Sequence, residues 1–182
     1  MVCFFYFCNQ FLKMRYFIDI SYDGSNYHGW QIQPNADTVQ HQINLAFSTI
    51  LNEEINVLGA GRTDTGVHAK KMIAHFDTNQ TIDFVKFKYR INGFLKNDIS
   101  LNDIYKVKED AHARFSAISR TYEYRVSRTK NPFSVNSYFL LRDLDFQSMK
   151  KACKFLHGSH DYTSFAKSVS YTHLRAHETR RY

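Results

Sequence analysis

Arg62, Asp64 and His68 fall within one short stretch, Gly59-Ala60-Gly61-Arg62-Thr63-Asp64-Thr65-Gly66-Val67-His68. A cation, a carboxylate and an imidazole are concentrated there between two apolar segments. Two glycines open the stretch and a third follows the polar centre, so the backbone is expected to take positive φ on either side of it. A phosphate-cradling loop fits poorly. Neither G-x-x-x-x-G-K-[ST] nor G-x-G-x-x-G is present, and no helix pattern follows directly. A metal site also fits poorly, because Asp64 and His68 lack a third ligand at a metal spacing. A nucleophilic or general-base aspartate remains. A carboxylate with a reference pKa of ~3.9 is ionised near neutral pH without an activating base. The residues alone leave this open against a plain turn, capped by Asp64, with Arg62 as its solvated partner. His68 reads as a turn residue bonded to backbone.

The elements that must hold this loop can be read on either side of it. Tyr16, Ile18, Ile20 and Tyr22 alternate with Asp19 and Ser21, which predicts a strand ended by the turn residues Asp23-Gly24-Ser25-Asn26. Val39, Ile43, Ala46, Phe47, Ile50 and Leu51 recur at helical spacing, with Asp37 placed as cap and Gln40 at the third position. Ile55–Ala60 and Met72–Phe76 read as strands enclosing the loop. Phe84, Phe87, Ile91 and Phe94 mark a second helix, and Ile99–Val107 a further strand. The order β-α-β-β-α-β predicts an α+β, ferredoxin-like domain over residues 14–108 that carries the loop. A second, partial α+β domain is expected over 109–169. In it Arg120–Ser127 alternates Tyr122, Tyr124 and Val126 as a strand does. Asp145 is placed to cap a helix whose inner face is Phe146, Met149, Cys153 and Leu156. His157 and His160 read as core or surface histidines, and Trp30 as a packing anchor.

The chain has 182 residues, enough for one domain or two small ones. Apolar residues make up 43% and charged residues 23%, which excludes wholesale disorder. Only 7 Gly and 2 Pro exclude collagen-like and low-complexity chains. The net charge is +7. Residues 14–170 hold 20 basic against 16 acidic side chains, so a weak basic excess survives without the two ends. It is densest in Ala111–Lys130, where Arg114, Arg120, Arg125, Arg128 and Lys130 face Glu123 alone. That run is the expected place of polyanion contact, through Arg114 and Arg120 above all. Lys70 and Lys71 are a solvated pair or phosphate contacts. Cys3, Cys8 and Cys153 are odd in number and have no zinc spacing, which suits a reducing, cytoplasmic setting. No apolar stretch reaches the ~18 residues of a membrane helix. Residues 1–13 lack the charged start and cleavage site of a signal peptide and read as a non-native or upstream-translated extension ahead of Met14, with a short anchor as the alternative. Residues 170–182 show no apolar period and read either as an RNA-binding tail or as a cloning scar.

GAGRTDTGVHA, with YDGSNYHGWQ ahead of it and AHARFSAISRTYEYRV and DYTSF behind, resembles the tRNA pseudouridine synthase A family. The four motifs stand in the family's order from about Met14 to Phe165. The resemblance implies an isomerase that converts uridine to pseudouridine in the tRNA anticodon stem-loop (positions 38–40). It implies a homodimer, no metal and no cofactor. It makes Asp64 the catalytic aspartate. Tyr122 matches the tyrosine that stacks on the target base, and Arg62 the arginine that holds the space of the flipped nucleotide. Arg114, Arg120 and Lys70 become RNA-contact candidates, and the catalytic cleft is expected between the two domains. The chemistry agrees: the C1′–N1 bond breaks, a C1′–C5 bond forms, and nothing is gained, lost or oxidised. Extruding the base costs a few kcal/mol, and an aromatic face returns ~1–3 kcal/mol by stacking. Family members continue well beyond Phe165 and supply a later motif with a basic side chain near the aspartate. No match to it is present, so the resemblance implies a C-terminally truncated member. The alternative is a catalytically impaired RNA-binding fragment of such an enzyme.

Overall fold

The computed structural model describes residues 13–134 and 136–165. The reading of the two ends as extension and tail therefore falls almost wholly outside the described residues. The chain forms two compact units that divide between Arg120 and Thr121, beyond the 108/109 boundary expected from the sequence.

The first unit comprises β1 (Met14–Tyr22), α1 (Val39–Leu51), β2 (Leu58–Gly59), β3 (Ala69–Thr78), α2 (Phe84–Phe94) and β4 (Ile99–Lys106). It is an α+β unit with one four-stranded sheet in the order β2-β3-β1-β4. Every neighbouring pair is antiparallel. Alternation along β1 buries Tyr16, Ile18, Ile20 and Tyr22, because successive side chains of a strand point to opposite faces. The 3.6-residue period of α1 turns Val39, Ile43, Ala46, Phe47 and Leu51 into the same hydrophobic cluster. Phe47 stands edge-on to both Phe76 and Phe87, with ring centroids 5.0 and 5.2 Å away. Burying one such ring contributes ~1.5–3 kcal/mol. Of the four aromatic and aliphatic positions expected inside α2, only Phe87 and Ile91 are buried.

The cap of α1 differs from expectation. Thr38, not Asp37, is the N-cap, its hydroxyl accepting from the His41 N–H. The Asp37 carboxylate instead takes Gln42 Nε2 at 2.7 Å and Lys96 Nζ at 3.0 Å. Gln40 turns inward, where it accepts from the Ile32 N–H and donates to the Val57 carbonyl.

Residues 109–120 belong to the first unit because they are fastened to the sheet face opposite the hydrophobic cluster. Arg15 forms a two-pronged pair with Asp77, both contacts at 2.7 Å, and its Nη1 donates to the Ala111 carbonyl at 3.0 Å. The Ala113 N–H donates to His75 Nδ1 at 3.3 Å. His75 is buried, at 2% exposure, beneath His112 and Ala113. Burial, with His112 and Arg15 nearby, pushes its pKa down to about 4. The neutral ring fits its bonds: Nδ1 accepts, and the other nitrogen is left to meet the Leu58 backbone.

The second unit corrects the expected strand at Arg120–Ser127. Strand structure there is confined to β5 (Val126–Ser127), paired in parallel with β6 (Tyr138–Phe139). Alternation is not enough for a strand. Its N–H and C=O groups need a partner, and the partner here is two residues long. α3 (Phe146–Phe155) forms as expected, with the Asp145 carboxylate accepting from the Ser148 N–H at 2.9 Å. Its expected inner face is not covered: Phe146 is 58% and Met149 49% exposed. No described residue of this unit is buried. No helix among the described residues is long and apolar enough to cross a membrane.

Candidate active site

The Arg62–Asp64 segment occupies the connection between β2 and β3, strands that pair through Leu58↔His75 and Gly59↔Ala74. The Ala60 N–H extends this pairing to the Ile73 carbonyl at 2.7 Å. The loop then leaves the sheet and closes with a turn in which the Val67 N–H donates to the Asp64 carbonyl at 3.2 Å. Gly66 sits in the third position of that turn at φ +77, the left-handed conformation a type II turn needs there. Positive φ is thus confined to the far side of the loop. Neither Gly59 nor Gly61 adopts it. Gly59 serves another purpose, since a Cβ on it would stand 2.7 Å from the Trp30 ring.

A second segment, Asp23–Trp30, braces the loop from outside the sheet. The Trp30 N–H donates to the Thr63 carbonyl at 3.0 Å, and the Gly66 N–H donates to the Tyr27 carbonyl at 3.3 Å. Tyr22 Oη lies 2.9 Å from Thr63 Oγ1. The peptides on either side of Asp64 are therefore tied down. Close approach makes this possible. Gly29, at φ +86, leaves no room for a Cβ, which would stand 2.5 Å from the Thr63 carbonyl oxygen. The brace is itself held to the start of β4: Asp23 N–H donates to the Asp98 carbonyl at 2.8 Å, and Tyr27 Oη to its carboxylate at 2.6 Å. Trp30, 2% exposed, is the packing anchor its position in the sequence suggested.

Asp64 is exposed, and its carboxylate has no hydrogen-bond or ion-pair partner among the described residues. The same holds for the Arg62 side chain. His68 Nδ1 lies 3.1 Å from the Gly24 N–H and 2.9 Å from Asp23 Oδ1. Nδ1 accepts the first when it carries no hydrogen and donates to the second when it does. Either way His68 fastens the loop's exit to the brace, as a turn residue does. The Asp23 carboxyl is held below its usual range by hydrogen bonds from Ser25, with His68 adding to them.

The other expected site residues are distributed as follows. Lys70 is exposed on β3, just past the loop, and Lys71 pairs with Asp19 at 3.4 Å. Arg114 is half-buried in the segment fastened by His75. Arg120 donates from Nη2 to the carbonyls of Ala60 and Arg114. Tyr122 lies in the second unit, outside any strand and 73% exposed. Arg125 and Arg128 of the same basic run pair with Glu123 and Asp143. Among the described residues no three His, Cys, Asp or Glu side chains come together to hold a metal. The bracing role of Thr63, Tyr27 and Gly29 was not visible in the sequence, because it depends on contacts between segments distant along the chain.

Comparison with known proteins places these features in a family. The sequence pattern described as tRNA pseudouridine synthase matches residues 19–116, a span that holds the brace, the loop and the segment fastened by His75. The tRNA pseudouridine synthase A of Bacteroides thetaiotaomicron is 48% identical over 154 residues, 84% of this chain and 57% of that protein. Its counterpart in Bacteroides fragilis is 46% identical over 155 residues, 84% of this chain and 62% of its own length. The tRNA pseudouridine synthase A 2 of Clostridium perfringens is 39% identical over 153 residues, 82% of this chain and 63% of its own. The chain spans about three-fifths of the curated relatives it matches. The family pattern covers more than half of the sequence and contains the whole braced loop, so the chain belongs to the tRNA pseudouridine synthase family.

Proposed function

We propose that this chain is the Asp64-bearing part of a tRNA pseudouridine synthase that isomerises uridines of the anticodon stem-loop. The observation that carries the reading is the state of Asp64: an exposed carboxylate with no partner among the described residues, on a loop whose neighbouring peptides are both tied down. A solvated turn residue does not need such a brace. A nucleophile does, because reacting groups must be held near their productive geometry. In this reading Asp64 attacks the target nucleoside, the C1′–N1 bond gives way to C1′–C5, the bond to Asp64 breaks again and frees the carboxylate, the C5 proton leaves to solvent and N1 gains one. No co-reactant enters the balance. Arg62 fills the space of the extruded nucleotide, and Tyr122 stacks on the base. Arg114 and Lys70 contact phosphate. The strand order β2-β3-β1-β4 supports a ferredoxin-like arrangement of the first unit, and the whole protein acts as a cytoplasmic homodimer. The names of the relatives support tRNA as substrate.

Tritium release tests the reading. The chain is incubated with an unmodified tRNA transcript tritiated at uridine C5. Release to water is expected, and Asp64→Asn should abolish it while leaving transcript binding within about twofold. Release that survives Asp64→Asn removes Asp64 from the chemistry. Binding without release by the unaltered chain removes catalysis from it.

A further inference from the structure

Arg120 is exposed and lies in the basic run where phosphate contact is expected. The structure uses its guanidinium differently. Nη2 donates to the Ala60 carbonyl at 2.8 Å and to the Arg114 carbonyl at 3.1 Å. One terminal nitrogen carries two hydrogens, so both bonds form together. Ala60 directly follows β2, and its N–H is already bonded to Ile73. Arg120 thus fixes the other backbone polar group of the residue through which the chain enters the Asp64 loop. That entry is the weaker side. β2 is only two residues long, whereas the rest of the loop is tied to Trp30, Tyr27 and Gly24. Arg120 also holds Arg114 next to Ala113, the point where His75 fastens the 109–116 segment. The loop entry and that segment therefore share one anchor.

We propose that Arg120 is a positioning residue for Asp64: by bridging the Ala60 and Arg114 carbonyls it fixes the entry of the catalytic loop. The inference rests on the role of Asp64 proposed above. A guanidinium suits the task. It stays charged at any working pH and presents its donors in a rigid plane, and charge-assisted bonds to carbonyls are stronger than neutral ones. Both Nη2 hydrogens are taken by the Ala60 and Arg114 carbonyls, so that nitrogen has none left for a phosphate.

Arg120→Met and Arg120→Lys separate positioning from phosphate contact. The first readout is tritium release at saturating and at limiting transcript. A positioning role predicts that Arg120→Met lowers kcat by ~10–100-fold, as small misplacements do. KM and the salt dependence of binding should stay within about twofold. Arg120→Lys keeps the charge but loses the planar bridge, so it should leave binding unchanged and still fall short of the full kcat. A phosphate contact predicts the reverse: weaker binding, a salt slope reduced by about one, and unchanged kcat. That result overturns the proposal. The second readout is hydrogen exchange of the full chain, which does not depend on turnover. Amides of residues 60–64 should exchange at least ~10-fold faster in Arg120→Met, with β1 and β3 unchanged. Unchanged exchange at 60–64 overturns the proposal even if activity falls. If the unaltered chain releases no tritium, the reading of Asp64 fails, and exchange still decides whether Arg120 holds the loop.

Discussion

A Cβ on Gly24 would stand 2.1 Å from the Val67 carbonyl oxygen and 2.6 Å from its carbon. Both are backbone atoms, so the clash is relieved only by moving the brace or the loop. Gly24→Ala therefore acts on the Asp64 loop from a position forty residues away in sequence. Overpacking of this kind costs ~1–3 kcal/mol, and the lowered urea midpoint should be accompanied by faster exchange of the 64–68 amides. Gly93→Ala is the matched control. Gly93 lies inside α2 and nothing comes within 4 Å of the place its Cβ would take. Alanine is the better helix former by up to ~1 kcal/mol, so this variant should raise the midpoint. If both variants shift it in the same direction, close packing at Gly24 is not what its residue type protects.

Between elements, the attachment of the 109–116 segment to the sheet rests on groups that titrate. Unfolded histidine binds its proton near pH 6.5, whereas buried His75 holds out to about 4. Below the first value the unfolded chain takes up a proton that the folded chain refuses. The stabilisation is complete above pH 6.5 and is lost as the pH falls toward 4, on the order of 3 kcal/mol in all. His112, pushed down by burial and by Arg15 and Arg114, acts in the same direction. Asp77, held low chiefly by its bond from Arg15, loses its contribution only in more acidic solution. The unfolding midpoint should thus drop between pH 7 and pH 5, and His75→Gln should flatten most of that drop. An equal drop in the variant would place the titration elsewhere. None of this attachment is legible in the sequence, because Arg15, His75 and Ala113 meet only once the sheet has formed. What is legible is local. Alternation in β1 and the helical period of α1 place side chains by their immediate neighbours, and both match the buried set. The Thr38 cap and the irregular 120–125 stretch escape such reading. The first is decided by what Gln42 and Lys96 offer Asp37, the second by a partner strand that is only two residues long among the described residues. The candidate loop itself was legible as a cluster of chemical groups, but its brace was not.

At the scale of the molecule, the two units differ in what keeps them folded. The first has a continuous cluster running from Tyr16 to Ile104, with a sheet, two helices and a docked segment. Among its described residues the second has a capped helix and two short strands, and it leaves Tyr124 and Phe133 at 93% exposure, Leu141 at 88% and Phe155 at 82%. Burial of apolar surface is the main force that offsets chain entropy, so resistance to opening should be concentrated before Thr121. Brief chymotrypsin digestion reads this directly, since both units are rich in aromatic residues. Cleavage should come first at Tyr124, Phe133, Leu141 or Phe155 and accumulate a fragment that retains β1 through β4, because a protease acts on segments that open locally. Early cuts at Phe17, Phe47 or Phe76 would show that the core of the first unit opens as readily as the second unit. If a tRNA transcript protects the 121–165 segment from the enzyme and leaves the first unit's cleavage rate unchanged, RNA orders the part of the chain whose described residues form no core of their own. That is the behaviour expected if Tyr122 meets its base there. Protection that is absent at saturating transcript would remove Tyr122 from the proposed site.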